Sequence, residues 1–210
     1  MEKIHSKFKV YAQVITFLVI WFALIWMSNL YPPFDPWRAL KQLPLAISGY
    51  LLIRFAFIKW IWRWKSLQGW LIKIPDLQGT WRGELVSDWV SPETNEGIAP
   101  IPILLVIRQN YHNLKCTMMT AESSSYSTAS DINSCYGEGD LYLTYTYTNR
   151  PKASIRKRSE IHDGAVILKI VKSPALGLEG EYWTSRKTRG DMRLKFQSKQ
   201  LEDSFSNDGC

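Results

Sequence analysis

The 210-residue chain is poor in the residues that usually carry catalysis or metal binding. It has three cysteines and three histidines, and neither type is spaced as in a zinc site. No HExxH, GxSxG or P-loop motif is present, and no histidine pairs with an obvious nucleophile. We therefore expect a protein that is not an enzyme and that uses no metal or other cofactor.

Acidic residues are scarce in the first third of the chain. Up to Ile74 there are ten Lys and Arg but only two acids, whereas the remainder carries 16 basic and 17 acidic residues. The excess positive charge therefore flanks the apolar segments, where cationic side chains meet anionic lipid headgroups. The nearly neutral remainder disfavours a general surface for binding DNA or RNA.

Two long apolar runs lie in this basic part. Residues 10–30 carry no formal charge and would span about 31 Å as a helix, which matches the hydrocarbon core of a bilayer. This run is longer than the apolar region of a cleaved signal peptide. Residues 43–62 form a second run, which contains Arg54 and Lys59. We predict a two-helix transmembrane hairpin within residues 1–74.

Arg54 lies deep in the second span, where an arginine is costly unless it faces another helix or water. Two interpretations stay open: a functional residue in membrane assembly, and a side chain that snorkels to the headgroups. Lys and Arg are more numerous at the outer ends of the hairpin than in its loop, which holds Arg38 and Lys41. The positive-inside rule then predicts an inner-membrane protein whose N-terminus and soluble domain are cytoplasmic.

The cysteines Cys116, Cys135 and Cys210 are an odd number. A disulfide between the first two would need an oxidising compartment, whereas the predicted topology places them in the reducing cytosol. We expect all three to be plain thiols.

After Pro75 no long window shows a helical period, and short strand-like runs alternate with turn residues. The runs are Leu77–Trp89, Ile101–Gln109, Leu114–Thr120, Tyr126–Asn133, Leu141–Thr148, Ser154–Ile161, Ala165–Val171, Leu178–Arg186 and Met192–Gln197. This pattern predicts an all-β domain over residues 75–200, a small antiparallel, up-and-down β-barrel of roughly eight strands. A two-sheet sandwich is the alternative. Residues 201–210 are expected to form a disordered tail.

Alternation along the strands predicts which residues share a face. Trp81 and Leu85 lie on one face of the first strand, together with Gly79 and Gly83. Tyr182, Thr184 and Arg186 would form a polar strip if their face is the interior. Arg108 ends an otherwise apolar strand and could meet an anion, although arginine in a strand usually faces solvent.

Two motifs carry a resemblance to a known family. The first is Leu77-Gln78-Gly79-Thr80-Trp81-Arg82-Gly83, which includes the Gly-x-Trp of lipocalin-type barrels. The second runs Gly180-Glu181-Tyr182-Trp183-Thr184-Ser185-Arg186-Lys187-Thr188-Arg189-Gly190. With two apolar spans before a β-domain, the chain resembles the two-transmembrane, β-strand-rich effectors of bacterial cyclic-oligonucleotide antiphage defence (CBASS). The second motif is similar to that family's Gly-x-Tyr-x-Thr-x-Arg-x-Thr-x-Gly, although Arg189 stands between Thr188 and Gly190.

The resemblance implies an antiviral mechanism. A partner nucleotidyltransferase makes a cyclic dinucleotide, the barrel binds it, the protein forms a homo-oligomer, and the hairpins disrupt the lipid bilayer in abortive infection. Such a ligand needs cationic donors for its two phosphates and flat faces for its two nucleobases. The candidate ligand-binding residues are Arg108, Tyr111, Tyr182, Trp183, Thr184, Arg186 and Arg189, with Arg54 as the candidate for assembly in the membrane.

A second function remains open at this point. The chain would then be a membrane-anchored, lipocalin-like protein that binds a lipid or another apolar small molecule. The two functions differ in the lumen that they require, because a lipid needs an apolar interior whereas a cyclic dinucleotide needs converging cations.

Overall fold

The structure, a computed structural model, describes residues 2–28, 36–69, 71–91, 95–134, 139–173 and 175–206. By its internal contacts the chain divides into two compact units, residues 1–68 and 69–210. The sequence prediction put this boundary after Ile74. Each unit is described by itself.

The first unit is helical. Its elements are α1 (Glu2–Ser28), α2 (Pro36–Lys41), α3 (Leu43–Lys59) and a 3₁₀ turn (Ile61–Arg63). Helix α1 contacts α3, where the rings of Phe17 and Tyr50 meet edge to face with centroids 6.2 Å apart. The indole of Trp21 donates a hydrogen bond to the carbonyl of Ala39, 3.1 Å away, and so ties α1 to α2.

One helical stretch in the described residues, Ala39–Lys59, has the length and composition of a membrane span, and Gln13–Met27 is a shorter apolar helix. The predicted hairpin therefore finds a candidate for its second span, and the two-span arrangement stays a prediction. Large apolar side chains of both helices are exposed, among them Val19, Trp26 and Leu52. Arg54 is also exposed, and its guanidinium donates to the hydroxyl of Tyr50, one turn earlier in α3, at 3.4 Å.

The second unit is a closed antiparallel barrel in which each strand pairs with the next and the last pairs with the first. The strands in the described residues are β1 (Gly79–Ser87), β2 (Ile101–Gln109), β3 (Leu114–Met119), β4 (Ser123–Asn133), β5 (Tyr142–Pro151), β6 (His162–Val171), β7 (Gly177–Thr184) and β8 (Arg189–Ser198). The prediction of an eight-stranded up-and-down barrel is confirmed. The sandwich alternative is wrong, since β1 and β8 close the sheet.

Side chains fill the lumen at the end where the chain enters β1, which we call the closed end. Trp81 is completely buried there, donates its indole N–H to the carbonyl of Leu77 at 2.9 Å, and contacts the ring of Phe196 with centroids 5.3 Å apart. Gly79 adopts a φ of +141°, and a Cβ at this position would lie 2.4 Å from the carbonyl oxygen of Ser198. The Gly-x-Trp motif is thus structural, with the tryptophan plugging the closed end.

The outer face of β2 is apolar as well, which explains the unbroken apolar run of this strand. Leu104 and Val106 are buried outside the lumen and form a cluster with Met119 of β3, against which Leu201 and Phe205 pack. The covering residues belong to a C-terminal segment that we call the strap (residues 199–206). Part of the predicted disordered tail is therefore ordered in the structure, whereas residues 207–210 lie outside the described residues.

The predicted strand Ser154–Ile161 is wrong. Its residues form successive turns between β5 and β6, in which the amides of Ile155 and Arg158 donate to carbonyls three positions earlier. Ile155 has mostly charged neighbours in the sequence, so the segment lacks the alternating apolar face that would hold it in the sheet. We call this connection the rim segment (residues 152–159).

Candidate functional site

A cavity of about 750 Å³ lies at the end of the barrel opposite the closed end, where the odd-numbered strands finish. We call this end the mouth. Inward-facing residues of seven strands, β1 to β7, form the walls, and the rim segment contributes Ile155, Arg158 and Ser159. The volume falls in the range of small-molecule sites, roughly 300–1,000 Å³. The barrel is therefore half filled and half open.

The wall formed by β4 and β5 is polar and buried. The hydroxyl of Ser125 donates a hydrogen bond to the side-chain carbonyl of Asn149 at 2.9 Å, and the two residues are 2% and 7% exposed. Both line the cavity. Their position explains the serine-rich sequence at the start of β4, which faces a polar lumen rather than the apolar core.

Two tyrosines line the cavity from β5 and β7, the strands on either side of β6. Burial raises the pKa of Tyr147 on β5 to about 12, and it also raises the pKa of Tyr182 on β7, whose hydrogen bond with Ser87 opposes the rise. Both phenols are therefore neutral at physiological pH. Each offers a hydroxyl and an aromatic face to a ligand.

Two arginines bring positive charge to the mouth, where His162 and the carboxylate of Glu122 also line the cavity. The guanidinium of Arg186 donates to the hydroxyl of Ser159 at 3.1 Å, and Arg158 pairs with Glu122. Burial lowers the pKa of His162, and the charge of Arg186 lowers it further, while the carbonyl of Glu160 opposes the change. The same charge acts to lower the pKa values of Tyr147 and Tyr182. Arg186 thus acts electrostatically on three separate strands around the cavity.

The structure brings together three of the candidate residues from the second sequence motif. Tyr182, Thr184 and Arg186 all line the cavity, with Arg186 in the turn that follows β7. Trp183 points the other way, lies outside the barrel and is 43% exposed. The motif therefore contributes one side of its strand to the cavity, as the alternation within it predicts.

The other candidates lie elsewhere. Arg189 faces outward and binds Asp88, with its Nε 2.8 Å from the carboxylate, and hydrogen bonds from Arg189 hold the pKa of Asp88 below its ordinary value. Arg108 pairs with Asp203 of the strap at 2.8 Å. Tyr111 follows β2 at the closed end and contacts the ring of His112. None of these three lines the cavity at the mouth.

Several polar residues of the cavity were not predicted from the sequence, and five of them are Ser125, Tyr147, Asn149, Arg158 and His162. A signal for four of them was present. In an up-and-down barrel the ends of odd strands and the starts of even strands meet at the same rim, and each of the four is an inward-facing polar residue at such a position. Arg158 gave no such signal, because its segment was assigned to a strand.

The described residues outside the cavity add no second chemical centre. They contain no group of His, Cys, Asp and Glu side chains that could hold a metal ion. Cys116 is a free, buried thiol whose pKa is raised to about 12 by burial, while Cys135 and Cys210 lie outside the described residues. Within the part of the chain that the structure describes, cations, aromatic faces and buried polar groups come together in the cavity at the mouth.

Two comparisons with known proteins agree with this architecture. A family model described as Cap15, cyclic dinucleotide receptor domain, matches residues 72–196. The chain is also 27% identical, over 179 residues, to a protein of Staphylococcus schleiferi named CD-NTase-associated protein 15. That match covers 85% of this chain and 91% of the relative. The chain therefore belongs to the family defined by the Cap15 cyclic dinucleotide receptor domain.

Proposed function

We propose that the protein is a CBASS effector whose barrel binds a cyclic dinucleotide in the cavity at the mouth. The observation that carries the proposal is the cavity's lining, in which Arg186 and Arg158 stand at the rim above the neutral tyrosines. Family membership supports the same ligand class. A cyclic dinucleotide, with two phosphate charges and two flat nucleobases, matches this combination of groups.

The cations are suited to phosphates in kind and in place. Arginine presents a planar fork of donors that fits a phosphate better than the point charge of lysine. Arg186 is held by Ser159, and Arg158 is held by Glu122, so both guanidinium groups are oriented before a ligand enters. Tyr147 and Tyr182 provide faces for stacking, which contributes about 1–3 kcal/mol per nucleobase.

The lumen argues against the alternative of a lipid-binding barrel. An apolar chain would need the long axis of the lumen, but the closed end is filled by Trp81 and the buried core around it. The part that remains open has buried serine and asparagine on one wall and cations at its rim. Burying an apolar ligand there would leave those polar groups without partners.

The helical unit supplies the proposed anchor. Its exposed apolar side chains are too numerous for a surface in water, and they suit contact with lipid tails. We propose that residues 1–68 form a two-helix hairpin in the bacterial inner membrane, with the barrel in the cytoplasm. A partner nucleotidyltransferase supplies the ligand during infection, the bound protein oligomerises, and the hairpins then disrupt the membrane. Arg54 is the proposed contact between hairpins within the bilayer.

Isothermal titration of the detergent-solubilised full chain with cyclic dinucleotides tests the binding proposal. We expect saturable binding, and we expect Arg186→Ala to weaken it at least about tenfold because one charge-assisted phosphate contact is lost. The control is Arg193→Ala, which also replaces an arginine by alanine but on the exposed outer face of β8, and it should leave binding unchanged. If no cyclic dinucleotide binds, or if the two variants lose affinity equally, the proposal is wrong.

A further inference from the structure

The buried pair of Ser125 and Asn149 is a polar feature of the cavity that binding of phosphate does not explain. It lies below the rim on the wall made by β4 and β5 and is buried, whereas Arg158 beside the same wall is exposed at the rim and Arg186 follows β7. Phosphates are expected near the rim cations, so this wall is left to contact another part of the ligand. The nucleobases are the parts that remain.

The hydrogen bond within the pair fixes which group of Asn149 is available. Ser125 donates to the side-chain oxygen of Asn149, so one of the two acceptor sites of this oxygen is already occupied. The amide nitrogen makes no hydrogen bond with any residue that the structure describes, although the side chain is buried and lines the cavity. Asn149 therefore presents two N–H donors to the lumen from an anchored carboxamide.

Donors of this kind distinguish nucleobases by their edges. Guanine and uracil present a carbonyl oxygen where adenine and cytosine present an amino group. Adenine offers only a ring nitrogen to this amide and holds its amino group beside the second N–H donor, so one donor stays unpaired in a buried site, which is a penalty. A carbonyl oxygen would satisfy them.

We propose that Asn149, oriented by Ser125, is a specificity-determining residue that selects a cyclic dinucleotide containing at least one nucleobase with a carbonyl edge, guanine or uracil. The inference rests on the proposed function, and it goes further in stating the class of ligand. Tyr147, two residues earlier on the same inward face of β5, is placed to stack on the selected nucleobase.

The test is a comparison of 3′,5′-linked cyclic di-GMP, cyclic di-UMP and cyclic di-AMP by isothermal titration against the full chain in detergent. We expect the guanine or the uracil ligand to bind at least about tenfold more tightly than the adenine ligand. Equal affinities, or tighter binding of cyclic di-AMP, would overturn the inference while leaving the proposed function intact. Failure of these three ligands and of the mixed guanine–adenine and uracil–adenine cyclic dinucleotides to bind would overturn both.

Variants test whether the pair causes the preference. Asn149→Asp replaces the donors by acceptors and should abolish the preference for a carbonyl edge. Asn113→Asp makes the same change at an exposed position in the β2–β3 turn and should preserve it. Ser125→Ala removes the hydrogen bond that orients Asn149, and it should reduce the ratio of affinities between the carbonyl-edged ligands and cyclic di-AMP. This variant adds no charge, so it provides an independent result if a thermal melt shows that Asn149→Asp is unfolded. An undiminished preference in Ser125→Ala and Asn149→Asp would contradict the assignment.

Discussion

Tyr145 carries a hydroxyl in the closed part of the lumen, and this buried oxygen has no hydrogen-bond partner among the described residues. Burial raises its pKa well above the ordinary value, so the group is a neutral phenol. A buried hydroxyl without a partner opposes folding because its interaction with water is lost. The rest of the ring belongs to the core.

We therefore expect Tyr145→Phe to leave the thermal stability of the protein unchanged or to raise its free energy of unfolding by about 1 kcal/mol. Tyr182→Phe is the matched change, and it should lower that free energy by about 1 kcal/mol because the hydrogen bond with Ser87 is lost. Thermal unfolding followed by circular dichroism measures both. A clear loss of stability in Tyr145→Phe would mean that its hydroxyl has a partner in solution.

Among the elements, the strap determines whether the outer face of β2 is covered. Thr80 donates its hydroxyl to the carbonyl of Gln200 at 2.6 Å, and Arg82 donates to the carbonyl of Ser206 at 2.9 Å. These bonds hold Leu201 and Phe205 against the apolar cluster on β2 and β3. Without the strap, the barrel would expose an apolar strand on its outer face, which is a hazard for aggregation.

The double variant Leu201→Ser and Phe205→Ser should therefore lower the free energy of unfolding by about 2–4 kcal/mol and promote aggregation. The control is Val86→Ser with Val90→Ser, which makes similar changes at positions that are already 41% and 46% exposed. Urea unfolding and light scattering compare the two proteins. Equal stability of the two double variants would show that the strap does not protect the sheet.

Strand order and facing were predictable from the sequence, because residues such as Trp81 and Leu85 alternate with polar neighbours and tight turns separate the runs. The structure of the rim segment could not be predicted from the sequence, because it depends on turn hydrogen bonds, such as that from the amide of Ile155 to the carbonyl of Lys152, rather than on periodicity. The alternation of apolar and polar residues also does not show at which end of the barrel a given side chain lies. Arg108 lies near the end of the even strand β2 and Arg186 just after the odd strand β7, so they lie at opposite ends of the barrel.

At the scale of the whole molecule, the chain combines two surfaces with opposite requirements. The helical unit exposes apolar side chains such as Phe22 and Leu51, whereas the barrel encloses its core and opens a polar cavity. We propose that the protein couples the binding of a charged, water-soluble ligand to an event in the bilayer. A single substitution at the cavity that weakens ligand binding should then also prevent membrane damage.

Release of a trapped dye from liposomes that contain the full chain tests this central claim most directly. We expect little release without ligand, rapid release on addition of the cyclic dinucleotide that binds best, and unchanged behaviour in Arg193→Ala. Arg186→Ala should give no release at ligand concentrations that are sufficient for the unaltered protein. Release that does not depend on ligand, or intact liposomes when titration shows the cavity to be occupied, would contradict the account.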